Sequence, residues 1–338
     1  MSATPQHTSP TPERFFAAVN AYQRTRALEA AIQLEIFTAI AEGNATAAAI
    51  AKRCQSSERG VRILCDFLTI QGFLTKDSAN YGLAPDSAVF LNRHSPAYLG
   101  GTLEFLLAPH LQESNARLAD AVRKGGSVLG QGTLQPENPD WVKFARAMMP
   151  LVHMSAEMVA DELQKGGHVT KVLDIAASHG LFGIAVAKRN RTAQIYASDW
   201  QNVLEVASQN AAAMGVADRH HLMPGSAFDT DFGTGYDLAL VTNFLHHFDA
   251  ATNTQFLKKV HAALKPEGRA AIVEFVPNPD RISPPNSAAF SLMMLVSTPS
   301  GDAYTFAELE TMAKNAGFSR VELSPAEIGL NRLVIAYR

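Results

Sequence analysis

Residues 172–183, VLDIAASHGLFG, run from an apolar strand-like segment through an acid into a loop of small residues. A small-residue loop between a strand and a helix lets the backbone approach a nucleotide-like cofactor closely. A dinucleotide fingerprint would need GxGxxG, with glycines against the pyrophosphate. Here Ala176 stands at the first of those places, with Ser178 and Gly180 following. A phosphate-binding P-loop would end in GK[ST], whereas Lys188 comes too late and neither Ser nor Thr follows it. The loop therefore suits a cofactor that lacks a pyrophosphate. Two further features fit that chemistry. Asp199 closes the run AQIYASD, where an acid accepts hydrogen bonds from ribose hydroxyls. After the next run, PGSAFDTDF offers Ser226, Ala227 and Phe228 to frame an adenine ring. Each feature alone is an ordinary strand-end loop; their order along the chain carries the reading.

The elements that must position these residues show in the apolar periodicity. Strand-like runs occupy 171–176, 193–199, 220–225, 236–242 and 269–276, with helical segments between them. This alternation predicts an α/β fold, a Rossmann-like, mostly parallel sheet with helices on both faces and ligands at the strand carboxyl ends. Two last runs, RVELSP and RLVIAYR, are joined too closely for a crossover helix. They add antiparallel strands at the edge, for seven in all. Residues 100–165 read as helices interrupted by GGSVLGQGTLQPENPDW. The Met-rich segment WVKFARAMMPLVHMSAEMVADEL suits core packing and the wall of an adaptable apolar pocket equally.

The N-terminal third has a different pattern. Leu28, Ile32, Ile36, Phe37 and Ile40 share one helical face, ended by Gly43–Asn44. Thr46 is placed to cap a second helix, and Ser56 or Ser57 a third whose apolar stripe is Val61, Leu64, Cys65 and Leu68. Two short extended runs follow in GFLTKDSANYGLAP, completing the outline of an α-rich winged helix. DNA binding would need surplus positive charge, but residues 1–105 hold nine Lys and Arg against nine Asp and Glu. Packing against a partner chain or a second domain suits this region better. The division expected is a winged-helix domain over 1–105, a helical connector over 106–165 and a cofactor-binding domain over 166–338.

The 338 residues carry a net charge of −3, so no basic field draws nucleic acid or anionic lipid. Two cysteines without CxxC spacing fit a reducing cytoplasm. The polar, Pro-rich start has no signal-peptide pattern, and no apolar run reaches membrane-spanning length. The scattered His and acidic residues show no recognised metal-ligand spacing, and no metal is expected.

Taken together, VLDIAASHGLFGIAVA, YASDWQNVLEVA, PGSAF, NFLHHFD, LKPEGRAAIVEFV and NAGF resemble class I S-adenosylmethionine-dependent methyltransferases. The match is closer still to small-molecule O-methyltransferases of the caffeate and hydroxyindole type, which also carry an N-terminal winged-helix dimerisation domain. The resemblance implies S-adenosylmethionine as cofactor, a homodimer formed through the N-terminal domain, and a small aromatic acceptor. On the cofactor side it implies Ala176, Ser178, Gly180, Asp199, Trp200, Ser226, Ala227, Phe228 and Asn243. It assigns His246 as general base with Glu274 holding its imidazole, and leaves Ala303 where a second bracing glutamate is common. Asp302 and Tyr304 flank that position and offer substitutes. His247 stands where the family carries an acid, and Asp249 reads most simply as a helix cap. The acceptor pocket is expected between the Met-rich helix and NSAAFSLMMLVSTPSG, lined by Phe144, Met148, Met149, Phe290, Met293 and Met294. N- or C-methylation, or cofactor-assisted decarboxylation or hydroxylation on the same fold, remains open beside O-methylation. A winged-helix regulator that senses a small ligand is the reading from another class.

Overall fold

The computed structural model describes residues 10–130 and 139–338. The middle of the Gly/Pro-rich stretch, 131–138, therefore lies outside the described residues. The chain divides into two compact units, Met1–Leu103 and Glu104–Arg338.

In the first unit, α1 (Glu13–Val19) and α2 (Ala21–Gln33) precede α3 (Ile36–Ala41), α4 (Ala47–Arg53) and α5 (Glu58–Ile70). A hairpin of β1 (Leu74–Asp77) and β2 (Asn80–Leu83) and the short α6 (Pro85–Phe90) follow. The apolar stripe expected on one helix is split between α2 and α3. Glu35 adopts a left-handed φ of 56° and breaks the helix there, because the stripe must turn to bury Ile36 and Phe37 in the core of this unit. Thr46 Oγ1 accepts from Ala49 N at 3.2 Å and Ser57 Oγ from Gly60 N at 3.1 Å, so Ser57 rather than Ser56 is the cap of α5. Val61, Cys65 and Leu68 are buried in the core of this unit, with Leu64 partly buried against them.

The second unit opens with α7 (Leu103–Leu106, its first residue at the division), α8 (Pro109–Ala116), α9 (Leu118–Lys124) and the long α10 (Pro139–Gln164). Strands and helices then alternate as β3 (Lys171–Ile175), α11 (Leu181–Arg189), β4 (Gln194–Asp199), α12 (Gln201–Ala213) and β5 (His220–Pro224). They continue as β6 (Tyr236–Thr242), α13 (Ala250–Ala263) and β7 (Leu264–Glu274), then α14 (Pro285–Ser297), α15 (Phe306–Asn315), β8 (Arg320–Ile328) and β9 (Asn331–Tyr337). The seven strands order as β5-β4-β3-β6-β7-β9-β8. The first five are parallel, and β9 inserts antiparallel between β7 and β8.

Alternation along each strand divides the core in two. Leu173, Ile175, Ala239, Val241, Ala270 and Ile272 face a cluster with α13 and α15. Val172, Leu238, Leu240, Ala271 and Val273 face the other, with α10 and α11. Both faces are covered, which is why these strands read as continuous apolar runs. The loops after β3, β4, β5 and β6 thus emerge from a rigid edge, all on the carboxyl side of the sheet.

Candidate active site

The loop after β3 is held in an unusual backbone conformation. Ala176 and Ser178 take φ of 51° and 52°, and Gly180 73°. Two non-glycine residues in the left-handed region carry strain that surrounding contacts must offset. Ala177 N donates to Ser198 O at 3.1 Å and Ser178 N to Asp199 Oδ2 at 2.8 Å. Asp199 Oδ1 accepts from Trp200 N at 2.7 Å. One carboxylate thus ties two loops together while keeping lone pairs for further donors. Burial pushes its pKa up to about 6, opposed by those two backbone donors.

Above these loops lies a cavity of about 490 Å³, within the range of small-molecule sites. Among the cofactor-side residues read from sequence, Ala176, Ser178, Asp199, Trp200, Ser226, Ala227, Phe228 and Asn243 line it. Gly180 does not. A Cβ there would meet Ala207 Cβ at 3.0 Å, so this glycine serves the turn and the packing of α11 on α12. Ser226 Oγ accepts from Phe228 N at 3.2 Å, and Lys259 Nζ donates to the carbonyls of Ala227 and Phe228 at 3.0 and 2.7 Å, which fixes that loop. Phe228 joins Phe244, Phe248 and Phe256 in an aromatic cluster with centroids 4.9 to 6.0 Å from its own ring.

The residues present fit a ribose-bearing cofactor. Ser178 Oγ and Ser198 Oγ are buried near Asp199 without a hydrogen-bond partner among the described residues, and both residues belong to the cavity lining. Orphaned hydroxyls next to a carboxylate are sites that a polyhydroxylated ligand satisfies.

The segment after β6 builds the second half of the site. Asn243 turns with φ 52°, and a 3-10 turn spans Leu245–His247. Glu274 ends β7 beside it. Its Oε1 accepts from Phe244 N and Leu245 N at 2.8 Å each, and its Oε2 lies 2.6 Å from His246 Nδ1. A carboxylate only accepts, so Nδ1 carries the proton and Nε2 presents its lone pair. Nε2 makes no hydrogen bond among the described residues. His246 is 5% and Glu274 2% exposed, so the pair is sheltered from bulk water. Asn253 Nδ2 donates to Leu245 O and Phe248 O, and Asp249 Oδ1 caps α13 by accepting from Thr252 N at 2.7 Å.

The His246 ring is turned towards Phe290 and Phe275, with centroids at 4.9 and 6.2 Å, and does not line the cavity. His247 does, and sequence reasoning gave it no role. Neither offered substitute braces His246. Tyr304 donates its hydroxyl to Phe248 O at 2.5 Å, and Asp302 pairs with Arg281 at 3.2 Å, while Ala303 is fully buried.

Of the expected acceptor residues, Phe144 lines the cavity; Met148, Met149, Phe290, Met293 and Met294 lie outside its lining. Met149 packs on the α10–α11 core and receives Asn210 Nδ2 on its sulfur at 3.4 Å. Phe290 stacks on Phe275 at 3.9 Å; Met294 is buried, and Met293 is 37% exposed. Instead Trp141, Val152, Phe182 and Pro299 supply the apolar wall. Trp141 was legible as the residue one turn before Phe144 on α10. Pro299 carried no local signal. Among the described residues no cluster of His, Cys, Asp or Glu could hold a metal ion, and no helix is long and apolar enough to cross a membrane.

Comparison with known proteins agrees with this architecture. A family model for the O-methyltransferase domain matches residues 115–319, and one for the O-methyltransferase dimerisation domain matches 16–93. A crystal structure of a candidate O-methyltransferase from Nostoc punctiforme is 50% identical, with a TM-score of 0.95 over 98% of this chain and 100% of that one. The 3-hydroxy-5-methyl-1-naphthoate 3-O-methyltransferase of Streptomyces sahachiroi is 26% identical over 88% of this chain and 87% of its own. Human N-acetylserotonin methyltransferase, solved in complex with S-adenosylmethionine, shares the fold with a TM-score of 0.84 at 20% identity, over 99% of both chains. With the Asp199 cavity and the model match over most of its length, the chain belongs to the S-adenosylmethionine-dependent O-methyltransferases.

Proposed function

We propose that this enzyme methylates a hydroxyl of a small aromatic acceptor, with His246 as general base and Glu274 as its positioning partner. The observation that carries the reading is the 2.6 Å contact between His246 Nδ1 and Glu274 Oε2, at the strand end next to the Asp199 cavity. When bound, S-adenosylmethionine supplies an electrophilic methyl group on a sulfonium. Asp199 would accept the ribose hydroxyls; Ser178 and Ser198 offer further partners; Trp200, Ala227 and Phe228 give the base an apolar seat. A phenol with a pKa near 10 is mostly protonated at neutral pH, so the acceptor needs a base to expose its nucleophilic oxygen. His246 Nε2 is free to take that proton, and the Glu274 carboxylate stabilises the imidazolium that forms. Fixing the reacting atoms in line supplies the remainder, ~7–11 kcal/mol in favourable cases. Trp141 and Phe144 form the flat wall that favours an aromatic ring. The dimerisation-domain match and the exposed apolar side chains of α1 and α2 support a homodimer.

The test is labelled methyl transfer to a panel of phenols, naphthols and hydroxyindoles. His246→Ala should lower kcat by about 10²–10⁴-fold while S-adenosylhomocysteine still binds with wild-type affinity by calorimetry. An acceptor acidic enough to be ionised at the assay pH should recover most of the loss, since it needs no base. Equal turnover by wild type and variant on an un-ionised phenol removes His246 from catalysis.

A further inference from the structure

Residues 225–230 form the loop that brings Ser226, Ala227 and Phe228 from the end of β5 to the cavity. Its first residue is tied to the neighbouring strand, with Gly225 N donating to Asp199 O at 2.9 Å. Inside the loop, Ser226 satisfies the N–H groups that follow. Its Oγ accepts from Phe228 N at 3.2 Å, and its carbonyl accepts from Asp229 N and Thr230 N at 3.1 and 2.9 Å. These bonds close the loop on itself without fixing where its tip stands. Phe228 remains 39% exposed, so burial does not hold its ring at the cavity either.

The anchor for the tip comes from α13, a helix that Phe256, Leu257 and Val260 bury in the core. Lys259 on that helix reaches the loop: its Nζ donates to Ala227 O at 3.0 Å and to Phe228 O at 2.7 Å. The same nitrogen lies 4.3 Å from the centroid of the buried Phe232 ring, within cation–π range. Burial draws its pKa below the ordinary lysine value, against the charges of Asp229 and Asp231. Among the described residues, no other hydrogen bond joins 225–230 to α13. Lys259 itself lies outside the cavity lining.

We propose that Lys259 is a positioning residue for the cofactor, acting from α13 through the Ala227 and Phe228 carbonyls to hold the loop in the form that receives the base. The inference rests on the assignment of Ala227 and Phe228 to the base. Without the ammonium, water takes its place on the two carbonyls and the loop tip populates other positions. The cofactor then meets a formed seat in only a fraction of the molecules, and its apparent Kd rises by the reciprocal of that fraction.

Calorimetry with S-adenosylhomocysteine on the full chain reads the effect. Lys259→Met keeps an apolar stem over Phe232 but removes the donors, and should weaken binding by about 10–100-fold. Lys259→Arg, which retains donors for both carbonyls, should recover most of that loss. With a phenol that the wild type methylates, Lys259→Met should raise KM for S-adenosylmethionine by the same factor and leave kcat at saturation unchanged. General damage to the domain would lower kcat as well. Phe228→Ala examines the assignment beneath the proposal: it should weaken S-adenosylhomocysteine by itself. Adding Lys259→Met to it should then cost much less than in wild type, because both changes act on one seat. Wild-type affinity in Lys259→Met, a fall in kcat as large as the rise in KM, or a loss undiminished in the Phe228→Ala background overturns the proposal. Wild-type affinity in Phe228→Ala means that the loop does not seat the base, and the proposal falls with that assignment. Weakened binding in Phe228→Ala beside wild-type affinity in Lys259→Met leaves the assignment standing and removes Lys259 alone.

Discussion

Asp174 is a carboxyl held inside the sheet, 1% exposed, with one oxygen accepting from Gly183 N at 3.0 Å and the other without a partner among the described residues. Burial pushes its pKa up to about 8, opposed by the Gly183 N–H and reinforced by the charge of Asp199. Two buried imidazoles move the other way: burial lowers both His179 and His220 to about 4, with His221 adding to the latter. The signs decide the stability profile. Between about pH 4 and 6.5 the unfolded chain binds protons at these histidines that the folded chain refuses, whereas folded Asp174 and Asp199 keep protons that the unfolded chain has released. These contributions oppose one another. From pH 6.5 to 8 only Asp174 remains, and there the folded state loses stability as pH rises. Urea unfolding of the cofactor-free protein should therefore show stability falling over that upper window. Asp174→Asn, which keeps an acceptor for Gly183 N, should flatten the fall; an unchanged slope would mean that Asp174 is ionised in the folded protein.

Gly183 shows how an element constrains a residue. Gly183 lies in the first turn of α11, where alanine would be the better helix former. Here a Cβ would come within 2.6 Å of Asp174 Oδ2 and 2.7 Å of Ile195 Cγ2, so propensity and packing oppose each other. Overpacking of a tight interior costs ~1–3 kcal/mol. Gly183→Ala should therefore destabilise the fold by about 1–2 kcal/mol, read from the urea midpoint; a stabilised variant would show that α11 can shift off β3. The same balance of local and tertiary terms explains what could be read from sequence. The alternation of strands and helices and the caps at Thr46 and Asp249 follow from local periodicity and turn chemistry, and both were legible, whereas the insertion of β9 between β7 and β8 is set by long-range pairing. The break at Glu35 was not, because the apolar spacing from Leu28 to Ile40 continues through it and only packing into the core of the first unit forces the turn. On the site, residues at strand ends come together because loops there converge: Asp199, Trp200, Ser226 and Phe228 all line one cavity. The methionines of α10 and α14 lie outside that lining, since a helix face gives no sign of whether it meets a core or a cavity. Met149 and Met294 went to packing, and Trp141 and Pro299 took the wall.

At the scale of the whole molecule, the first unit leaves large apolar side chains in water that a solitary domain would bury. On α1 and α2, Phe15, Phe16, Val19 and Tyr22 are 64%, 55%, 53% and 63% exposed. A groove of about 300 Å³ between α2 and α5 is lined by Ala27, Ile63, Leu64 and Phe67. Monomers rarely expose a contiguous patch of this kind, and the model that matches residues 16–93 is a dimerisation domain. If a second copy covers these side chains, removing their apolar character should act on association while the Asp199 cavity, built wholly from the second unit, keeps its ligand. A Phe16→Asp, Tyr22→Asp double variant should sediment as a monomer at micromolar concentration where the wild type sediments as a dimer. Its Tm should also lose the dependence on protein concentration that association imposes on the wild type. S-adenosylhomocysteine calorimetry on the same samples checks that the second unit is folded. A wild type that is monomeric at these concentrations, or a double variant that remains a dimer, would show that α1 and α2 do not hold the two copies together.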